Sequence, residues 1–252
     1  MAEILRPETL LLILAAPCIG SFLGVIAERL PAGRPLVWSR SCCLHCGQTL
    51  GARDLVPIAG WLINRGRCRH CGQAIAAFYP AIEVAATLVA LWSLLVLPGW
   101  LAWAGSVLGW TLLALSVIDA RHLQLPDELT LPLIPAGLAV AWVVDPASVP
   151  EHALAALGGF LLVAALAFIY RRLRGREGIG LGDAKLLAAA GAWVSWQGLP
   201  GIVLLAAAGG LAGALIKGFL AGRLEIRQEL PFGPYLAGGL WLVWLYGPIG
   251  LG

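Results

Sequence analysis

Long, nearly unbroken apolar blocks constrain this chain more than any other feature of its sequence. A helix needs about 20 consecutive apolar residues to cross the hydrocarbon core of a bilayer, and several blocks reach that length. The blocks neither alternate as half-buried strands would nor leave the polar stripe of a surface helix. Charged residues make up only 12% of the chain, against about a quarter in soluble domains. The pattern predicts an all-α polytopic membrane protein with about eight transmembrane helices, near 10–30, 78–97, 100–118, 129–144, 153–170, 183–196, 200–219 and 232–251. The expected organisation is a first transmembrane helix in 1–30, a small cytoplasmic zinc-ribbon-like domain in 31–77, and a seven-helix membrane domain in 78–252. The first block is read as a retained span: it lacks a basic n-region, and Glu28 and Arg29 stand where a cleavage site would be.

The positive charges set an orientation. Sixteen of the 17 Lys and Arg fall at the odd-numbered loops, among them Arg40, Arg53, Arg65, Arg67, Arg69, Arg121, Arg171, Arg176, Lys185, Lys217, Arg223 and Arg227. Only Arg6 precedes the first span. Those loops are expected in the cytoplasm and both termini outside. The net charge of +3 is explained by this bias and calls for no nucleic acid; the expected environment is the lipid bilayer.

The first loop carries a short repeat, Cys43-Leu-His-Cys46-Gly47-Gln48 and Cys68-Arg-His-Cys71-Gly72-Gln73. Two thiolates three residues apart on a tight turn can chelate one ion, and two such pairs give the closed tetrahedral set of structural zinc. Cys43, Cys46, Cys68 and Cys71 are the expected ligands. Disulfides are disfavoured in a reducing compartment, and no thioredoxin-like pattern surrounds a redox CxxC. His45 and His70 lie within the knuckles as alternative ligands, Cys42 is spare, and Cys18 is read as a small packing residue of the first span.

Carboxylates near the spans are few. Asp119 closes the third span, and Asp183 opens the sixth after the run Gly178-Ile-Gly180-Leu-Gly182. Spans ending at one depth could bring the two acids face to face. Such a pair shares a proton, so one member can deprotonate water while the other donates to a developing oxyanion. Glycines beside the acid would let an extended peptide approach. The plainer readings are a helix N-cap for Asp183 and a solvated helix end for Asp119. Helix-end dipoles favour Asp183 as base and Asp119 as acid. Asp127 is expected to cap the fourth span. Glu83, an acid within the second span, needs a partner or a task; an arginine of the first loop is the expected partner, an amine of substrate or cofactor the alternative.

The order of these motifs resembles the prepilin peptidases, the leader peptidase/N-methyltransferases of type IV pilus and type II secretion systems. The resemblance rests on Gly20-Ser-Phe-Leu23, Arg29-Leu-Pro31, both knuckles, Arg65 to Arg69 and Tyr79-Pro80 with Glu83. It continues through Ile118-Asp119, Leu125-Pro-Asp127, Leu129 to Pro132, Gly180-Leu-Gly-Asp183-Ala-Lys185 and Leu230 to Tyr235. It implies a GxGD aspartyl protease with Asp119 and Asp183 as catalytic pair, in the bacterial inner membrane. Its substrates would be prepilins or pseudopilins, cut at the cytoplasmic face and then N-methylated with S-adenosylmethionine. The chain departs from the family's pattern at Gly24, Glu28, Asp54 to Pro57 and Phe78, all outside the protease segments. Two other readings are a GxGD protease without methyl transfer and a proton-coupled transporter. The transporter would want its acids at mid-membrane depth and a repeat between halves, neither of which the sequence has.

Overall fold

A computed structural model describes residues 7–36, 41–175, 180–221 and 230–248. Arg6, Arg40, Arg176, Gly178, Arg223, Arg227 and the end of the eighth expected span lie outside them.

Among the described residues the chain is helical, with only isolated β-bridges. The helices are α1 (Pro7–Arg29), α2 (Ala59–Ile63), α3 (Phe78–Val96), α4 (Leu101–His122), α5 (Asp127–Val144), α6 (Val149–Arg174), α7 (Leu181–Ala221) and α8 (Gly233–Tyr246). Six of them are long and apolar enough to cross a membrane. Their many exposed leucines and phenylalanines, such as Leu95, Leu161 and Phe219, are what a lipid-facing surface needs and water would not tolerate.

The longest helix accounts for two expected spans. Its 41 residues would extend about 60 Å if straight, twice the hydrocarbon thickness. Ser195 breaks it with φ 58° and ψ −170°, and the chain turns back. The contacts of α8 show the reversal. Tyr235 lies over Gly209 and Gly210, Gly239 meets Ile202, and Val243 faces Gly198, so α8 runs antiparallel to the second half of α7. The break comes two residues before the short loop that the sequence suggested at 197–199. The Ser195 hydroxyl donates to the Glu151 carboxylate, 2.7 Å away, which holds the strained turn against the start of α6.

Two compact units divide the chain, Met1–Ala114 and Leu115–Gly252, the boundary falling within α4. In the first, α1 packs on α3 through Gly20, where a Cβ would lie 2.6 Å from the Glu83 Cα. The Trp110 indole adds a hydrogen bond to the Ala86 carbonyl, 2.8 Å. In the second, the small faces of α6 and α7 meet at Gly159 and Gly191, and Trp193 donates to the Leu133 carbonyl of α5. Without a hydrophobic drive between helices in lipid, close backbone approach and such buried hydrogen bonds hold them together. Cys18, expected to be a packing residue, instead lies on the exposed side of α1.

Candidate active site and metal centre

The knuckle repeat becomes a structural repeat, bond for bond. Cys43 N–H donates to the Gln48 carbonyl and Gly47 N–H to that of Cys43; Cys68 N–H donates to Gln73 and Gly72 N–H to Cys68. A β-bridge closes each turn, Cys42 with Thr49 and Arg67 with Ala74. Gly47 and Gly72 sit at φ 69° and 71°, the left-handed region that glycine enters without strain. The four thiol sulfurs lie within 4.8 Å of one another, and Cys43 and Cys71 are 3.8 Å apart. Tetrahedral Zn–S bonds of about 2.3 Å put sulfurs about 3.8 Å apart, so the set fits such an ion. His45 and His70 are not part of this cluster among the described residues. The Cys43 thiol is pulled down to about 6 by the backbone N–H groups of Cys46 and His45. The Gln73 N–H pulls Cys71 the same way, but lost hydration and the facing thiols outweigh it and push Cys71 up to about 11. A divalent cation that displaces the thiol protons relieves this crowding.

The carboxylate pair is built in the second unit from three chain segments. Asp119 stands in the last turn of α4, 7% exposed, because the helix runs past the expected end to His122. Leu123, at φ 54°, stops it with an N–H to the Asp119 carbonyl. Asp183 is the third residue of α7 and half-buried; its N–H closes a turn on the Gly180 carbonyl, 3.2 Å. It is therefore inside the helix's first turn rather than at the N-cap. The two acids are near enough for the charge of Asp119 to act on Asp183.

The third segment is one the sequence did not mark except through resemblance. Gly233 N–H, at the start of α8, donates to the Asp119 carboxylate at 2.9 Å. A Cβ at Gly233 would fall 2.8 Å from that same oxygen, so only glycine lets this N–H close in. Asp119 thus lies at the C-terminal end of one helix and the N-terminal end of another. The helix-end argument that separated acid from base does not distinguish the two residues.

The glycine run resolves into two jobs. Gly182 has no space for a side chain, because a Cβ would lie 2.9 Å from Leu125; it seats the 123–126 segment against the start of α7. Among the described residues a Cβ at Gly180 would meet nothing nearer than the Asp183 carboxylate at 3.7 Å, room that an extended peptide could use. Asp127 does not cap α5, whose N-cap is Pro126. As the first helical residue it pairs with Lys185, 2.5 Å away, which ties α5 to α7 two residues beyond Asp183.

Glu83 is buried, and its carboxylate accepts the backbone N–H of Ile58 at 2.6 Å. Among the described residues its partner is this peptide group and not the expected arginine. One turn away the Tyr79 hydroxyl donates to Glu28, 2.7 Å, and a Cβ at Gly24 would face Ile82, Tyr79 and Phe78. The family departures at Gly24, Glu28 and Phe78 therefore adjoin one another across α1 and α3.

Comparison with known proteins places both units. Residues 14–97 match the bacterial peptidase A24 N-terminal domain and residues 106–215 the type IV leader peptidase family. A prepilin leader peptidase/N-methyltransferase of Burkholderia pseudomallei is 40% identical over 88% of this chain and 80% of its own length. Proteins of the same description from Aeromonas hydrophila and Dickeya chrysanthemi are 37% and 39% identical, covering 91% and 92% of this chain and 87% and 90% of their own. No solved structure matches.

Proposed function

Because the chain belongs to the type IV leader peptidase family, we propose that Asp119 and Asp183 are the catalytic pair with which it removes leader peptides from prepilins. It is a multi-pass membrane aspartyl endopeptidase that also N-methylates its product, and no observation favours a transporter. The observation that carries the residue assignment is that the two carboxylates, at the end of α4 and the start of α7, lie within electrostatic reach of each other, with the Gly233 N–H fixed on Asp119. One carboxylate takes a proton from water as the oxygen attacks the scissile carbonyl, and the other, protonated, donates to the forming oxyanion. Collapse of the tetrahedral species breaks the C–N bond: the leaving amine takes the proton that the base drew from water, and the other carboxylate recovers its own from the diol hydroxyl as the carbonyl re-forms. Gly180 gives the substrate backbone room beside Asp183. The excess of Lys and Arg in the loops at this edge supports a cytoplasmic-facing site in the bacterial inner membrane.

Cys43, Cys46, Cys68 and Cys71 would hold one Zn²⁺ as a structural ion, with every coordination position taken by thiolate and none left for chemistry. Methyl transfer draws on S-adenosylmethionine, as the family's activity implies. In the first unit Glu83 is a carboxylate suited to face a cationic group: one oxygen takes the Ile58 N–H, and no hydrogen bond is made to the other among the described residues.

Mass spectrometry of a prepilin co-expressed with this chain as the sole leader peptidase tests the reading. We expect a shortened N-terminus carrying one added methyl. A full-length prepilin would overturn the proposal, and a shortened unmethylated one would remove its methyltransferase half.

A further inference from the structure

The first loop, read from sequence as a soluble domain, contains a segment that the structure ties to the membrane. Glu83 lies five residues into α3, and the 19 residues of α3 give about 28 Å, barely the hydrocarbon thickness. The whole helix is thus needed to span, and Glu83 sits about 7 Å below its loop-side end. Helical side chains lean toward the N-terminus, so the Glu83 carboxylate reaches back toward the loop by part of a turn. Its 2.6 Å bond to Ile58 N–H fixes the backbone just before α2 at that depth.

The rotation of α2 is fixed as well. Gly60 is buried, the Trp61 indole donates to the Ile75 carbonyl at 3.2 Å, and the same ring lies over Gly66. Leu62 and Ile63 therefore point away from the metal-binding fold, 60% and 75% exposed, and Leu55 and Val56 are 44% and 49% exposed in the segment before. Among the described residues no side chain covers them. Arg53, Arg65 and Arg67 flank the four, exposed and without an ion-pair partner among the described residues. Apolar side chains at the level of the first turns of a spanning helix, bordered by free guanidinium groups, match the layer where headgroup phosphates meet acyl chains.

We infer that residues 55–63 lie in the bilayer interface on the loop side, with Leu55, Val56, Leu62 and Ile63 directed into the acyl chains and the neighbouring arginines on anionic headgroups. The partner is phospholipid. On α3 itself Val84, Leu88 and Leu95 are exposed, as a lipid-facing helix requires. The consequence is mechanical: the zinc-ribbon-like domain is held at the membrane at both chain ends and in its middle, through the Glu83–Ile58 bond and this immersed segment.

Photolysis of the full-length protein in nanodiscs of phosphatidylglycerol bearing an acyl-chain diazirine, followed by peptide mapping, tests the inference. We expect lipid adducts on 55–63 at a yield comparable to those on Leu88 and Leu95 of α3. The double variant Leu62→Glu, Ile63→Glu should lose the adducts on 55–63 and keep those on α3. Adducts on α3 with none on 55–63 in the wild-type protein would overturn it. So would capture of 55–63 by a photoreactive prepilin in place of lipid, which would assign the surface to substrate.

Discussion

The thiol cluster and the carboxylate pair are assembled on different length scales. Each knuckle of the cluster is closed by hydrogen bonds within six residues, and the two copies repeat the same bonds. The thiol set is a local property of the loop. The carboxylates come from α4 and α7 and lie within electrostatic reach of each other, and Asp119 is steadied by α8, which packs back along the second half of α7 after the break at Ser195. A local site depends on its ion and short turns, whereas a dispersed one depends on helix packing. Perturbations should therefore fall unequally on the two.

The largest expected effect is on the local site. Structural zinc contributes about 10–16 kcal/mol of apparent binding energy in small domains. Replacing Cys43 and Cys46 together by Ser, or stripping the ion with a chelator, should unfold 41–75 as read by hydrogen exchange. About one equivalent of zinc should be lost, and the exchange protection of α5 to α8 should remain. Loss of protection in both units at once would break the comparison.

Next in size is Gly233→Ala. Its Cβ would press on the Asp119 carboxylate, and a displacement of about 1 Å at a catalytic group costs about 100-fold in rate. Prepilin cleavage should fall by about that factor with zinc content unchanged.

Glu83→Gln removes the charge from a hydrogen bond worth about 1.5–3 kcal/mol. Methylation of the product should suffer more than cleavage, measured on one peptide. The reverse order would move Glu83 into the protease site.

The smallest effect belongs to Asp127→Asn. The pair with Lys185 is half-exposed, such pairs contribute under about 1 kcal/mol, and cleavage should remain near the wild-type rate.

The same contrast of scales governs what the sequence disclosed. Spans and knuckles were legible because hydrophobic length and CxxC spacing act within a short window, and the two spans that α7 joins were read separately, with the break expected just after Ser195. Asp119 and Asp183 stood out as rare acids at helix edges. Their supports did not, because a backbone N–H leaves no trace in side-chain pattern. Gly233 on Asp119 and Ile58 on Glu83 are both peptide groups, and the arginine expected for Glu83 was a search among side chains for a partner the main chain supplies. The Asp127 cap failed for a related reason: Pro126 already set the helix start, which freed the carboxylate to reach Lys185 on another helix.

The central claim is that two carboxylates from separate helices perform one hydrolysis. Single-turnover cleavage of a purified prepilin by Asp119→Asn and by Asp183→Asn tests it most directly, with zinc content and membrane insertion checked in the same preparations. Each variant should lose the contribution of a positioned acid or base, about 10²–10⁴-fold or more, while folding and metal binding persist. Near-normal cleavage by either one would contradict the account.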